Sequence, residues 1–125
     1  MKVFEYGSGG STVFFARHAG QVFSVEHDPA WHGHVGKTLA AQQLTNCHYL
    51  LRVPQSVAGV AVAAEGKHAF IDEREWEYPG MSFETYVRSI DVHPDRTFDL
   101  VLVDGRARAD CIAHAISKIR PGGGT

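Results

Sequence analysis

Three acids and a short run of glycines carry the chemistry this chain offers. Near the N-terminus it reads VFEYGSGGSTVFFARHAGQVFSVEHDPAW. That is an apolar strand with Glu5 at its tip, a glycine-rich turn (Gly7, Gly9, Gly10), a helix, a second apolar strand and a second acid, Glu26. Glycines let backbone approach a ligand closely, and an acid about 20 residues after such a turn is placed to hold ribose hydroxyls. The third acid, Asp104, ends the apolar run FDLVLVDG. Each acid also has a plainer reading. Glu5 could cap its loop, Glu26 could be a solvated strand end, and Asp104 before Gly105 is ordinary turn chemistry. Read together with the glycines, they describe a nucleoside-binding crevice.

The bulk composition bounds the rest. The chain has 125 residues, 44% hydrophobic and 21% charged, with net charge −2 when histidine is neutral. That suits one soluble domain with one core. There is no basic excess, so nothing predicts nucleic-acid binding. The eight histidines are scattered, and His32 and His34, two apart, point different ways on a helix; a solvated face is expected there, and no metal is called for. Cys47 and Cys111 form no CxxC and read as small buried hydrophobes in a reducing compartment. The start lacks the apolar segment of a signal peptide, and no run reaches membrane-spanning length. The expected location is cytoplasmic.

The elements that position the acids follow from periodicity. Lys2 to Tyr6 is a strand and Ser11 to Ala19 a helix with Val13, Phe14 and Phe15 inward. Gln21 to Val25 is a second strand. Asp28 and Pro29 begin a helix as cap and first residue, with Trp31, Val35 and Leu39 as its inward stripe and its end near Thr45 and Asn46. Cys47 to Val53 is a third strand. Residues 57–64 read as either strand or helix. In the charged, aromatic DEREWEYPG, Trp76 and Tyr78 are candidates for a lid or an acceptor wall. Phe83, Tyr86, Val87 and Ile90 fall on one helical face capped by Ser82. Phe98 to Gly105 is a strand buried on both faces, which argues for a parallel sheet. Ile112, Ala115, Ile116 and Ile119 mark the inward face of a last helix, stopped by Pro121 and its glycines; Arg106 and Arg108 are solvated at its start. The alternation gives an α/β fold, Rossmann-like and doubly wound, with a mostly parallel sheet and helices on both faces. Glu5, Glu26 and Asp104 then share the carboxyl edge of the sheet, where such folds bind ligands.

E-Y-G-S-G-G-S, then Val25-Glu26, then D-L-V-L-V-D-G and the closing K-I-R-P-G-G-G together resemble the class I S-adenosylmethionine-dependent methyltransferases over nearly the whole chain, apart from the middle stretch. The resemblance implies a methyl transfer with S-adenosylmethionine as cofactor. It implies that Glu5, Gly7, Ser8 and Gly9 form the loop against the methionine part of that cofactor. Glu26 then accepts from both ribose hydroxyls, His27 and Asp28 lie near the adenine, and Asp104 faces the reacting methyl as the candidate catalytic residue. The chain departs from the family pattern at three places. Ser11 stands where a third glycine is usual. Arg52-Val53-Pro54-Gln55 offers no acid after the third strand. The chain also ends where the fifth of seven strands should begin. A domain spanning 1–125 without its last strands would leave Val101 to Val103 on an open edge, so a fragment or a homo-oligomer covering that edge is expected. Two other functions remain open: an interaction module that does no chemistry, and a nicotinamide dinucleotide enzyme, whose GxGxxG would need glycine at Thr12.

Overall fold

The computed structural model describes residues 1–56, 70, 78 and 80–125. Its elements, in order, are β1 (Lys2–Tyr6), α1 (Gly10–His18), β2 (Gln21–Glu26), α2 (Pro29–Ala41), β3 (Cys47–Leu51), β4 (Gln55–Ser56), β5 (Met81–Ser82), α3 (Glu84–Val87), β6 (Phe98–Val103), α4 (Arg108–Ala115) and β7 (Ile119–Gly124). One-turn 3₁₀ segments extend α3 through Val92 and α4 through Lys118. The main sheet has five parallel strands in the order β3-β2-β1-β6-β7. β4 and β5 form a small antiparallel pair, Gln55 opposite Ser82. This is the expected Rossmann-like α/β architecture. β1 to β3 build outward in one direction and β6 returns to the other side of β1, so the switch point lies between β1 and β6.

Central β1 is buried on both faces, which sorts its side chains by parity. Phe4 and Tyr6 join Phe83, Tyr86, Ile90, Phe98 and Val101 in a largely aromatic core beneath α3 and α4. Val22 packs with Ala16, Val35 and Leu39 beneath α1 and α2 on the other face. Asp28 caps α2 as expected, its Oδ1 accepting the amides of Ala30 (2.9 Å) and Trp31 (3.2 Å). Ser82 Oγ accepts the Glu84 amide at 3.2 Å at the start of α3.

Several expectations are corrected. Trp31 is not core: it is 43% exposed, while Val35 and Leu39 are buried. Its indole is diverted to a polar partner in the loop after β1. Phe14 also faces outward, and Thr12 and Ala16 form the buried line of α1. In α4 the inward line is Cys111 and Ala115, continued from Ala107, whereas Ile112 and Ile116 are exposed. Two stripes at four-residue spacing compete there, and the large rings of the aromatic core leave room only for the small one. Helix α2 stops at Ala41, short of Thr45. Cys47 is half-buried and Cys111 buried, both as free thiols. His32 is half-buried, its ring stacked on Tyr49, and not on a solvated face.

The C-terminal correction changes the sheet edge. Pro121 and its glycines do not merely stop a helix. They lie in β7, which pairs with β6 from Phe98 opposite Ile119 to Leu100 opposite Gly124 through an irregular register. Proline is tolerated on an edge strand, and glycine at a bulge. A Cβ at Gly123 would stand 2.5 Å from the Asp99 carbonyl oxygen. β6 is therefore an inner strand and Val101 is buried. Beyond Leu100, no strand among the described residues pairs with 101–103 on the β7 side. The expectations for 57–64 and Trp76 fall outside the described residues. Among those residues, no helix is long and apolar enough to cross a membrane.

Candidate functional site

The carboxyl ends of β1, β2 and β6 meet at the switch point, and backbone contact locks them together. Gly7, following β1, has φ +91°, a conformation side chains disfavour. A Cβ there would also stand 2.5 Å from the Asp104 carbonyl oxygen. Its amide donates to the Val25 carbonyl at 2.9 Å, and the Asp104 amide donates to the Tyr6 carbonyl at 3.0 Å. Gly7 thus lets the loops after β1 and β6 touch while a hydrogen bond joins the first to β2.

Glu5 is wholly buried on the α1 side of the sheet. Its carboxylate accepts hydroxyl hydrogens from Ser11, Thr12 and Ser24, the last at 2.9 Å. Thr12 Oγ1 in turn accepts the Gly9 amide at 3.0 Å. Glu5 therefore fixes the glycine loop and the first turn of α1, where a negative charge also suits the helix dipole. Burial pushes its carboxyl above the usual value of 4.5, against the pull of the three hydroxyls.

Glu26, the last residue of β2, is 3% exposed. Its Oε1 accepts the Ser8 amide (3.0 Å) and the Ser8 hydroxyl (2.7 Å), and its Oε2 accepts the amides of His27 (3.1 Å) and Asp28 (3.0 Å). The carboxylate thus joins the glycine loop to the start of α2. His27 lies against it, Nδ1 at 3.2 Å from Oε2, and its Nε2 meets the Tyr78 hydroxyl at 3.1 Å. The Arg106 guanidinium lies over the Tyr78 ring, 5.3 Å from its centroid. One residue of the middle stretch therefore reaches the strand ends. Asp104 is placed differently: its side chain is 70% exposed at the mouth, 3.6 Å from Arg108.

The chain order of these groups was legible in the sequence, but three of the contacts around them were not. Tyr49 on β3 meets the Ser8 hydroxyl at 2.5 Å. It shares the face of Ser24 because β2 and β3 pair Ser24 with Tyr49; only that register reveals the contact. Trp31 Nε1 donates to the Ser8 carbonyl at 2.8 Å. Tyr86 backs the loop after β6 from within the core. A cleft of about 150 Å³ lies beside the loop between α1 and α2, lined by Gly9, Val13, Trp31 and His34 among others. It is smaller than the roughly 300 Å³ at which ligand sites begin, and of the loop glycines only Gly9 and Gly10 border it.

The residues at the strand ends fit an adenosyl ligand. Glu26 is a buried carboxylate of the kind a ribose diol would donate to, its acceptor sites met here by the chain's own donors. Among the described residues, a Cβ at Gly9 would meet only the Trp31 ring, at 3.9 Å, and none of them packs closely over the loop there.

Among solved structures, the chain is similar to a methyltransferase-like protein from Silicibacter pomeroyi DSS-3, with 30% identity and a TM-score of 0.55. The similarity covers 93% of this chain and 57% of that one, so the chain spans little more than half of that protein's length. No protein-family model matches the chain, and neither does any curated protein. The fold is that of a methyltransferase-like protein.

Proposed function

We propose that the chain binds S-adenosylmethionine at the carboxyl ends of β1, β2 and β6 and orients it for methyl transfer to an O, N, C or S nucleophile. The observation that carries this reading is Glu26, a buried carboxylate that ends β2 and lies 3.0 Å from the Ser8 amide of the glycine loop. Charge-assisted bonds from a carboxylate to a diol are strong and geometrically selective. In this reading Gly7, Ser8 and Gly9 present backbone to the methionine end, Glu5 holds that loop rigid, and His27 and Asp28 border the adenine. Thr12 favours this ligand over a dinucleotide: it is buried and donates to Glu5 where a dinucleotide loop needs glycine.

When bound, the cofactor supplies a methyl group already activated on a sulfonium. The chain's part is orientation, worth on the order of 7–11 kcal/mol at best. Asp104, exposed at the mouth and paired with Arg108, is placed to accept a proton from the incoming nucleophile.

Calorimetric titration of the folded chain with S-adenosylmethionine and S-adenosylhomocysteine tests the reading. Saturable binding of both is expected. Silence toward both, or tighter binding of NAD, would overturn it.

A further inference from the structure

Glu26 already has four donors: the Ser8 amide and hydroxyl on Oε1, and the His27 and Asp28 amides on Oε2. A carboxylate offers about four lone-pair sites. A ribose diol would therefore meet an acceptor that is full. Three of the four donors are backbone amides, held by the loop and by the start of α2. Only the Ser8 hydroxyl is a side-chain rotor.

That rotor is itself held. Ser8 Oγ lies 2.5 Å from the Tyr49 hydroxyl. The single Ser8 proton goes to Glu26, so Tyr49 donates to Ser8. A phenol carries its proton at neutral pH, and burial pushes that of Tyr49 further up, to about 12. The Tyr49 ring is pinned by His32, stacked at 4.1 Å between centroids and 22° between planes. The Ser8 carbonyl accepts Trp31 Nε1 at 2.8 Å, so the backbone of Ser8 stays fixed when its side chain turns.

We infer that the Ser8 hydroxyl is an internal stand-in for a ribose hydroxyl: it fills the Glu26 acceptor that the ligand needs, Tyr49 holds it there, and it turns aside as the ribose binds. The inference rests on the cofactor reading above and deepens it. It makes Ser8 and Tyr49 determinants of affinity for a 2′,3′-diol, acting through a competition inside the chain.

The test is calorimetric titration of S-adenosylhomocysteine, and of its 2′,3′-dideoxy analogue, into the wild-type chain and the Ser8→Ala and Tyr49→Phe variants. Ser8→Ala removes the competitor and should tighten S-adenosylhomocysteine binding about tenfold, the worth of one hydrogen bond to a charged group less its replacement by water. Tyr49→Phe should tighten it by less, in the same direction, and decides the matter if Ser8→Ala does not fold. Neither gain should appear with the dideoxy analogue. Wild-type binding with equal or weaker binding by the variants, or a gain that persists without the diol, overturns this inference and leaves the cofactor reading standing. Silence of all three folded proteins toward the ligand overturns both.

Discussion

Tyr86 and Gly105 occupy adjoining space at the base of the loop after β6. The phenol oxygen of Tyr86 lies where the first side-chain carbon of any larger residue at 105 would stand. Tyr86 is wholly buried, its ring against Tyr6 at 5.5 Å and Phe83 at 6.0 Å, so that oxygen has no room to swing away. The same Cβ would come within 3.3 Å of the Gly7 Cα. The aromatic core thereby sets the height of the Asp104 loop against the glycine loop.

Gly105→Ala should therefore destabilise the fold by roughly 1–3 kcal/mol, the usual range for overpacking a core. Tyr86→Phe removes the offending oxygen. In a double-mutant cycle read by urea unfolding, Gly105→Ala should cost less beside Tyr86→Phe than alone. Strict additivity would show that the two residues do not share that space.

Glu26→Gln tests the joint between the loop and α2. The amide nitrogen of the glutamine would face one of two pairs of N–H or O–H donors, leaving buried donors unsatisfied. A loss of about 1–3 kcal/mol in unfolding free energy is expected, together with weaker binding of S-adenosylhomocysteine. Four hydrogen bonds tie this acid to the loop and to α2, so its removal is expected to reach the fold as well as the ligand. Urea melts of the variant that overlay the wild type would remove Glu26 from this role.

What was legible in the sequence is what local pattern encodes. The apolar runs of β1, β2, β3 and β6, the cap at Asp28 and the acid–glycine order need no knowledge of neighbours. What was hidden depends on parts distant in the chain. The exposed Ile112 and Ile116 have the spacing of a core stripe, and only the bulk of Tyr6 and Tyr86 selects Cys111 and Ala115 in their place. Asn46 resembled the end of a helix. Its Nδ2 instead donates to the Ala16 and Ala19 carbonyls at 2.9 Å each, tying off α1. At the site, Glu5 and Glu26 were visible as acids at strand ends, but their hydroxyl and amide donors come from other elements.

Glu5 gives the stability curve a direction. Its carboxyl, raised by burial above 4.5, binds a proton more readily folded than unfolded. Stability from this group therefore falls as pH rises from about 4.5 through the raised native value, and is level above it. Glu5→Gln should remove that slope and be relatively more stable near neutrality. Urea melts between pH 4 and 8, on the order of the range that brackets ordinary carboxyl titration, provide the comparison; parallel profiles for the two proteins would contradict it.

His93 acts with the opposite slope. Its ring packs edge-on to Phe4, Phe23 and Phe98, and burial, aided by Lys118, Lys2 and His48, lowers it below 6.5. The unfolded chain takes the proton first, so stability is lost as pH falls from 6.5 toward the lowered native value. His93→Gln should flatten that fall. An unchanged acid limb between the two proteins would place the titrating group elsewhere.

The end of α2 offers the cleanest gain. Helices often finish with a left-handed residue whose neighbours bond back to the last turn, and glycine fills that place at least strain. Here the residue is Gln43, at φ +56°, with its amide on the Ala40 carbonyl at 3.0 Å and the Leu44 amide on the Leu39 carbonyl at 3.0 Å. The missing glycine is why the sequence pattern carried the helix on to Thr45. Gln43 is exposed, so replacing it removes no packing. Gln43→Gly should relieve a left-handed backbone cost of roughly 1–2 kcal/mol, offset by the added freedom of glycine in the unfolded chain, roughly 0.5–1 kcal/mol. The net expectation is a rise of about 0.5 kcal/mol, seen as a higher denaturation midpoint at unchanged slope. Gln43→Ala keeps the side-chain carbon that causes the strain and should not share the gain. A midpoint that rises equally in both variants would assign the effect to the lost glutamine side chain and not to the backbone.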